Sequence, residues 1–121
     1  MPLIEILTPD FVHNDERGTL AQLAHDGFQQ VNAVFTKKGA VRGNRHYHKQ
    51  TDEVFYLLSG CVRVTVSRDG QTQQHTFHSG DMFRIAAHVR HTFDYLEDTY
   101  LVVLYSHGVE LADGTKDIYN D

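Results

Sequence analysis

Hydrophobic and polar residues alternate along much of this chain, and no helical periodicity competes with that alternation. In the clearest example Val62, Val64 and Val66 fall on one face of an extended strand, while the residues between them fall on the other. Asp69 and Gly70 follow shortly after, and this pair favours the tight turn of a β-hairpin because both residues tolerate a positive φ. The pattern therefore predicts a chain of short β-strands.

About ten such strands are predicted, separated by turn residues at short intervals. They lie near residues 3–7, 19–23, 30–36, 45–49, 53–59, 61–68, 71–77, 82–85, 91–96 and 100–106. Many short strands at regular spacing are typical of a sandwich or a barrel. The 121 residues show no linker and no repeat, so we expect residues 1–121 to form one all-β domain.

Composition and charge exclude several classes of protein. The chain carries 11 Lys and Arg against 16 Asp and Glu, a formal net charge of −5, whereas nucleic-acid binders usually carry a basic patch. No apolar run approaches the roughly 18 residues of a membrane span, and the amino terminus lacks the pattern of a signal peptide. The single cysteine excludes an intramolecular disulfide and fits a reducing compartment. We therefore expect a cytoplasmic protein that binds neither nucleic acid nor membrane.

Nine histidines stand out in this composition, and three of them share a meaningful spacing with one glutamate. His46 and His48 lie two apart in a predicted strand, so both side chains should leave the same face. Glu53 and His91 begin other strands whose neighbours on the same face are apolar, so both should point into the core. An inward carboxylate is costly unless a metal, an arginine or a proton compensates it.

These four side chains would form an N₃O set of ligands for a divalent transition metal, with positions left open for substrate or water. Imidazole suits iron, nickel, copper and zinc. The alternative interpretation is a group of buried histidines that hydrogen-bond to the backbone or to the glutamate.

The spacing around these residues resembles the two sequence motifs of the cupin family. Five residues follow the first motif, G-x5-H-x-H-x3–4-E-x6-G, namely Gly39, His46, His48, Glu53 and Gly60. One extra residue precedes the first histidine, and we expect a β-bulge near residues 43–44 to absorb it.

The second cupin motif, G-x5-P-x-G-x2-H-x3-N, is matched less completely. Gly80 and His91 are present, whereas Ala86, His88 and Tyr95 replace the proline, the glycine and the asparagine. The resemblance implies a jelly-roll β-barrel. It also implies that the three motif histidines and the glutamate bind a divalent transition metal such as zinc, iron, nickel or manganese.

Two further segments are similar to the nucleotide-sugar cupins, the dTDP-sugar 3,5-epimerases and 3,4-ketoisomerases. Residues 15–20, Asp-Glu-Arg-Gly-Thr-Leu, resemble their D-x-R-G-x-F/L opening, although the glutamate that follows it is Gln22 here. Residues 30–43 resemble the segment that leads into their R-G-x-H sequence. With residues 46–48 they are also similar to the cupin domain of the bifunctional capsular-sugar reductases, which bind zinc.

This resemblance implies a homodimer that isomerises or epimerises a nucleotide-linked keto sugar by removing a proton next to the carbonyl. His46 falls near the catalytic base of the epimerases, but a metal-bound histidine is not a free base, so His46 fills one role or the other. If it is a ligand, His88, Glu97, Asp94 or a metal-bound hydroxide is the base. Tyr47, Tyr56 and Tyr95 are candidate proton donors, and Tyr95 is favoured because it shares the inward face of its strand with the second-motif histidine.

The resemblance also implies a set of substrate contacts. Arg17 and Arg42 fall on positions that hold the nucleotide diphosphate or the sugar, and the planar fork of arginine suits a diphosphate. Tyr47 and Tyr56 are further candidates for substrate contact. The polar run of residues 113–121 is expected to be a solvated tail or a strand partner for another subunit.

Two other functions stay open on the sequence alone. One is an Fe(II)-dependent dioxygenase that uses the same ligands, with open positions for O₂ and substrate. The other is a non-catalytic cupin that binds a sugar or an effector. Arg17, Arg42 and the lysine pair at 37–38 favour an anionic ligand that carries phosphate, and therefore the sugar nucleotide.

Overall fold

The computed structural model describes residues 2–121, which form eleven β-strands. These are β1 (Ile4–Leu7), β2 (Phe11–Asp15), β3 (Gly18–Gln22), β4 (Gln30–Thr36), β5 (Val41–His46), β6 (Glu53–Ser59), β7 (Cys61–Arg68), β8 (Gln71–His78), β9 (Met82–Ile85), β10 (Arg90–Tyr95) and β11 (Thr99–Tyr105). All of their pairings are antiparallel. Within the described residues no helix is long and apolar enough to cross a membrane. The expectation of an all-β protein is confirmed.

Two sheets pack face to face to enclose the core. The five-stranded sheet has the order β1-β9-β6-β11-β4, and the four-stranded sheet has the order β5-β10-β7-β8. Buried residues from both sheets belong to one hydrophobic cluster, as in a double-sheet jelly roll. The expected cupin-like jelly roll is thus the observed architecture.

Aromatic rings fill the middle of the core. Phe83 of β9 is fully buried, and its ring centroid lies 3.9 Å from that of Phe77 and 5.0 Å from that of Phe55. The alternating residues of β7 face these rings from the opposite sheet, where Val62 and Val64 are both 0% exposed. The alternation in the sequence therefore identifies the buried face correctly.

Strand β2 lies outside the predicted set of strands and raises their number to eleven. Its two apolar residues, Phe11 and Val12, are adjacent instead of alternating, and both are exposed. The strand pairs with β3 in a separate two-stranded sheet. Because β2 buries neither face against the rest of the described chain, its sequence carries no alternation to mark it.

Strand β5 differs from its predicted position at residues 45–49, and the cause is the expected bulge. His91 of β10 pairs with His46 of β5, and Phe93 pairs with Arg42. Between these two pairs β10 has one residue and β5 has three, so the extra residues of β5 form a bulge. Residues 43–45 lie in that stretch, with positive φ values of 90°, 45° and 68°. The strand then ends at His46, so His48 does not lie in a strand as predicted.

Candidate functional site

The four predicted ligands meet between the two sheets, at one end of the core. One possible ligand atom from each of His46, His48, Glu53 and His91 lies within 4.8 Å of those of the others. Nε2 of His48 is 2.8 Å from Oε1 of Glu53, and Nε2 of His91 is 3.3 Å from the same oxygen. The structure therefore brings these four side chains together around one point.

Three strands and one loop hold this cluster in place. Glu53 is the first residue of β6, and its inward side chain is 4% exposed. His91 of β10 pairs directly with His46 at the end of β5, so these two side chains come from neighbouring strands of the four-stranded sheet. His48 reaches the cluster from the loop after β5. The cluster thus joins the two sheets, through the central strand β6 of one and the neighbouring strands β5 and β10 of the other.

Hydrogen bonds on the far side of two rings define which nitrogens face the cluster. Nδ1 of His48 donates to the main-chain carbonyl of Asp117 at 2.5 Å, and Nδ1 of His91 donates to that of Val89 at 3.3 Å. A carbonyl only accepts, so each Nδ1 carries a proton. In the neutral rings, both Nε2 lone pairs therefore point towards Glu53.

The facing atoms of His48 and Glu53 have hydrogen-bonding capacity that the described residues do not use. Nε2 of His48 and Oε1 of Glu53 are buried and have no hydrogen-bond partner among the described residues, although they lie 2.8 Å apart. Two acceptors at this distance repel each other unless a proton or a cation lies between them. Three nitrogens and a carboxylate oxygen are a donor set for a divalent transition metal, so these residues fit such an ion.

The charges in the cluster follow from burial and from these contacts. Burial disfavours the ionised form of Glu53, but the contact with His48 and the other nearby imidazoles hold its pKa below its ordinary value. Burial acts to lower the pKa of His48, and the glutamate outweighs it and raises that pKa. The proton that His48 would carry between the two groups is the one that a divalent cation would displace.

His46 differs from the other members of the cluster because it is only partly buried. Burial, together with the imidazoles of His91 and His48, lowers the pKa of His46 to about 4. Burial also lowers the pKa of His91. At neutral pH His46 is therefore an uncharged base with a partly open ring.

A cavity opens onto the cluster from between the sheets and encloses about 120 Å³. Its apolar wall comes from β4, β6, β10 and β11. Six side chains bring functional groups to it, namely Arg42, His46, Glu53, His91, Tyr95 and Tyr105. The predicted base, the predicted proton donor and one of the predicted arginines therefore line the same space.

Two tyrosines stand in this cavity with their hydroxyl groups protonated at neutral pH. Burial raises the pKa of Tyr95, while a hydrogen bond with Thr36 acts in the opposite direction. Burial, assisted by the charge of Glu53, raises the pKa of Tyr105 to about 12. The hydroxyl of Tyr105 also accepts a hydrogen bond from Nδ2 of Asn32 at 3.3 Å.

Tyr105 lines the cavity although it is not among the site residues predicted from the sequence. It alternates with Leu101 and Val103 on the inward face of β11, which was the available signal. Its place beside the cluster depends on the register of β11 against β6, which sets Tyr105 opposite Glu53. A single sequence does not contain that register.

Arg42 is the predicted substrate contact that reaches the cavity. Its Nε donates to Oγ1 of Thr36 at 2.8 Å, and its Nη2 donates to the carbonyl of Phe35 at 3.4 Å. Nη1 takes part in neither bond. The side chain is thus held at the cavity with donors that an anionic ligand can use.

Arg17 and Tyr47 do not reach the cavity. Arg17 lies on the exposed turn of the β2–β3 hairpin, where its Nη2 contacts Oδ2 of Asp15 at 2.6 Å. Tyr47 is one residue away from both histidines and points to the opposite side. Its hydroxyl donates to Oδ1 of Asp121 at 2.8 Å, and the guanidinium of Arg90 lies over its ring.

Tyr56 and His88 do not line the cavity either. Tyr56 packs on the outer face of the five-stranded sheet beside Met82, because it is one residue out of step with the inward Phe55. His88 is exposed in the turn before β10 and has a φ of 71°. The other candidate bases, Asp94 and Glu97, are also absent from the residues that surround this space.

We compared the chain with known protein families, with curated proteins and with solved structures. A family model described as the cupin domain matches residues 34–107. No curated protein shows significant similarity to the chain. The WlaRB TDP-quinovose 3,4-ketoisomerase of Campylobacter jejuni has a similar structure, with a TM-score of 0.84 and 19% identity, over 100% of this chain and 95% of that one.

Two further solved structures are similar. For a variant of the 3,4-ketoisomerase QdtA of Thermoanaerobacterium thermosaccharolyticum, in complex with TDP-4-keto-6-deoxyglucose, the TM-score is 0.81 at 17% identity, covering 100% of this chain and 89% of that one. For the rmlC epimerase of Mycobacterium tuberculosis it is 0.72 at 21% identity, covering 88% and 64%. At such identities the similarity establishes a shared fold.

Proposed function

This chain belongs to the cupin domain family, and on that premise we propose that it isomerises or epimerises a nucleotide-linked keto sugar by moving a proton next to the carbonyl. One observation carries the proposal: a single cavity brings the imidazole of His46 together with the phenols of Tyr95 and Tyr105. A neutral imidazole accepts a proton and a phenol donates one, so the cavity contains both partners of an acid–base reaction.

His46 is the residue we assign as the general base. It is the member of the cluster with an accessible ring, and its low pKa keeps that ring neutral. An unprotonated ring nitrogen would take a proton from the carbon beside the carbonyl, and the electron pair of the broken C–H bond would move into an enolate. Tyr95 or Tyr105 would donate a proton to the enolate oxygen. In an epimerisation, the enol oxygen returns its proton to the tyrosine while a proton is added to the other face of the same carbon. In an isomerisation, the hydroxyl on the neighbouring carbon loses its proton and becomes the new carbonyl, while a proton is added to the former carbonyl carbon.

We further propose that His48, Glu53 and His91 hold a divalent transition metal, with His46 as the fourth ligand if it is not the base. The buried, unpartnered Nε2 of His48 and Oε1 of Glu53 support this site. Zinc, iron, nickel and manganese all accept such ligands. A metal there would supply Lewis-acid stabilisation of negative charge on an enolate oxygen.

The size of the cavity and the position of Arg42 support a sugar that is linked to a nucleotide. The enclosed volume of about 120 Å³ is small, since pockets for drug-sized ligands begin at roughly 300 Å³. The sugar would enter and the nucleotide would lie outside, with its diphosphate near the guanidinium of Arg42. Similar structures with TDP or a TDP-sugar bound are consistent with this class of substrate.

A homodimer is the assembly that the surface supports. The β2–β3 hairpin pairs with no other strand in the described part of the chain, and Phe11, Val12 and Leu20 on it are 50%, 48% and 56% exposed. Exposed apolar groups on an unpaired sheet are typical of an interface. Arg17 lies on the same hairpin, so its predicted contact with substrate would need the hairpin to approach a second copy. Light scattering should show a dimer for the natural chain and a monomer for Leu20→Asp.

Hydrogen–deuterium exchange tests the reaction. Incubation with dTDP-4-keto-6-deoxyglucose in D₂O should place deuterium at carbons next to the carbonyl, as measured by NMR. His46→Asn should lose the exchange, whereas His78→Asn, an exposed histidine on β8, should retain it. No exchange by the natural protein, with each of the four metals in turn, would contradict the proposal.

Metal analysis of the same variants separates the two possible roles of His46. A general base predicts that His46→Asn loses the exchange and keeps about one metal per chain, whereas His48→Ala loses the metal. If His46→Asn also loses the metal, His46 is a ligand and the base lies elsewhere. Oxygen consumption with Fe(II) would favour a dioxygenase, and ligand binding without turnover would favour a non-catalytic cupin.

A further inference from the structure

The segment that follows β11 returns to the cluster, where Asp117 is completely buried. Its carboxylate accepts hydrogen bonds from three successive main-chain amides, those of Lys49 and Gln50 at 2.9 Å each and that of Thr51 at 3.3 Å. Its own main-chain carbonyl accepts the proton on Nδ1 of His48. One residue therefore contacts both the imidazole of His48 and the loop that follows it.

That loop separates two members of the cluster. Residues 49–52 connect His48 to Glu53, and they contain no regular secondary structure that would hold the two side chains at a fixed distance. The carboxylate of Asp117 supplies the missing partners for the loop amides.

The segment on both sides of Asp117 is anchored as well. Its amide donates to the carbonyl of Val109 at 2.7 Å. Further along, Tyr119 and Tyr47 exchange main-chain hydrogen bonds at 2.8 and 3.0 Å, and the ammonium group of Lys49 lies 4.1 Å from the centre of the Tyr119 ring. Residues 113–121 are thus not a solvated tail throughout, since Asp117 and Tyr119 bind within their own chain.

We propose that Asp117 is a positioning residue for the cluster. Its carbonyl selects the tautomer of His48 that leaves the Nε2 lone pair free, and its carboxylate fixes the loop between His48 and Glu53. The expected influence of Asp117 on metal affinity rests on the metal site proposed above. Its expected influence on the tautomer of His48 does not depend on that site. Groups that orient a metal-binding histidine through its second nitrogen commonly alter metal affinity when they are removed.

The first experiment reads the tautomer in metal-free protein. In ¹⁵N NMR of the histidine rings, recorded at a pH high enough for His48 to be neutral, the natural chain should show His48 with the proton on Nδ1 alone. Asp117→Ala should show averaging between the two tautomers, because the carbonyl at 117 is no longer held in place. Asp113→Ala, the same change at an exposed position of the same segment, should leave the spectrum unchanged. A folded Asp117→Ala protein with an unaltered His48 tautomer would overturn the proposal.

The second experiment measures the affinity for Zn²⁺ by titration. Asp117→Ala should bind about 10- to 100-fold more weakly than the natural chain, and Asp113→Ala should bind equally well. Unchanged affinity in a folded Asp117→Ala protein would also contradict a positioning role. If the natural chain binds no Zn²⁺, the proposed metal site is wrong, and the ¹⁵N spectra still decide the role of Asp117.

A milder variant keeps the test decisive if Asp117→Ala does not fold. Asp117→Asn retains the shape of the side chain and one acceptor oxygen. Its NH₂ group replaces the other oxygen, and it cannot accept a hydrogen bond from the main-chain N–H groups of the loop. We expect this protein to fold, with Zn²⁺ affinity and His48 signals between those of the natural chain and complete loss. Spectra and affinity identical to those of the natural chain would overturn the proposal.

Discussion

The two ends of the space between the sheets share strands β6 and β10, and along these strands they differ in the side chains that fill them. Along β6 the inward residues are Glu53 at one end and Phe55 and Leu57 at the other. Along β10 the inward sequence begins with His91 and continues with Phe93. The backbone pattern is continuous, so the strands provide position and the residue types provide chemistry.

The two ends differ in how completely the protein provides contacts for their buried side chains. At the aromatic end, Phe83 stacks on rings from both sides and is fully buried. At the polar end, Nε2 of His48 and Oε1 of Glu53 have no hydrogen-bond partner within residues 2–121, and the adjoining β5 departs from regular strand geometry. Proteins depart from local rules of this kind mainly at functional sites. The aromatic end therefore supplies stability, and the polar end supplies the candidate site.

The largest expected effect comes from the aromatic end. Phe83→Ala removes a ring that is 0% exposed, and truncation of a buried phenylalanine costs about 3–5 kcal/mol of unfolding free energy. Urea denaturation in the presence of EDTA measures this loss without any contribution from bound metal. A loss below about 1 kcal/mol would show that this end of the core tolerates a cavity and would weaken the comparison.

Metal addition tests the polar end by itself. A ligand that binds only the folded state stabilises it by about 2.7 kcal/mol at a concentration 100-fold above its Kd. Zn²⁺ should therefore raise the denaturation midpoint of the natural chain and leave that of Glu53→Gln unchanged. Phe83→Ala, if it remains folded, should still gain stability from Zn²⁺. An equal gain in Glu53→Gln would mean that the ion binds elsewhere.

A pair of glycines isolates the backbone geometry of the polar end. A Cβ at Gly43, where φ is +90°, would lie 2.8 Å from the carbonyl oxygen of His91. Gly39 has a similar φ of +88° with nothing within 4 Å. A positive φ costs a residue with a Cβ about 1–2 kcal/mol, so both alanine variants should lose that much.

Only Gly43→Ala should lose more, and only it should weaken Zn²⁺ binding, because the clash displaces His91. Thermal denaturation and Zn²⁺ titration of the two variants provide the comparison. Equal losses in both would show that the close approach at residue 43 yields without cost and does not control the position of His91.

The aromatic end could be predicted from the sequence more fully than the polar end. Alternation places Val62, Val64 and Phe93 in the core without any knowledge of strand order. The convergence of the histidines with Glu53 also follows from residue spacing, once a jelly roll is assumed. Tyr105 does not, because its place depends on register, and register is set by pairing across β6 and β11.

The role of residues 113–121 could not be predicted for a different physical reason. The run is polar and has no periodicity, which is typical of a solvated tail. Its order comes from hydrogen bonds between Asp117 and main-chain amides about 66 to 68 residues away, and such bonds leave no trace in local composition. Tyr47 was misplaced for a related cause, since its partners Tyr119 and Asp121 belong to that segment.

The smallest expected effect concerns His88. A substitution there distinguishes the cost of a left-handed backbone near the polar end from a role of the side chain in proton transfer. His88 stands where the second cupin motif has glycine, and its own backbone is left-handed, with a φ of 71°. Its main-chain amide donates to the carbonyl of His48 at 2.7 Å, a bond that needs no particular side chain. Glycine relieves a cost of about 1–2 kcal/mol for the left-handed conformation, but it adds about 0.4–1 kcal/mol of entropy to the unfolded chain.

His88→Gly should therefore raise the unfolding free energy by about 0.5 kcal/mol, the difference between these opposing effects. Because the imidazole of His88 does not line the cavity, deuterium exchange into the keto sugar should continue at the rate of the natural chain. Denaturation and exchange measured on the same preparation test both parts. A stable His88→Gly protein that has lost exchange would assign proton transfer to His88. The site of proton transfer would then be the exposed turn before β10 and not the buried cluster at the polar end.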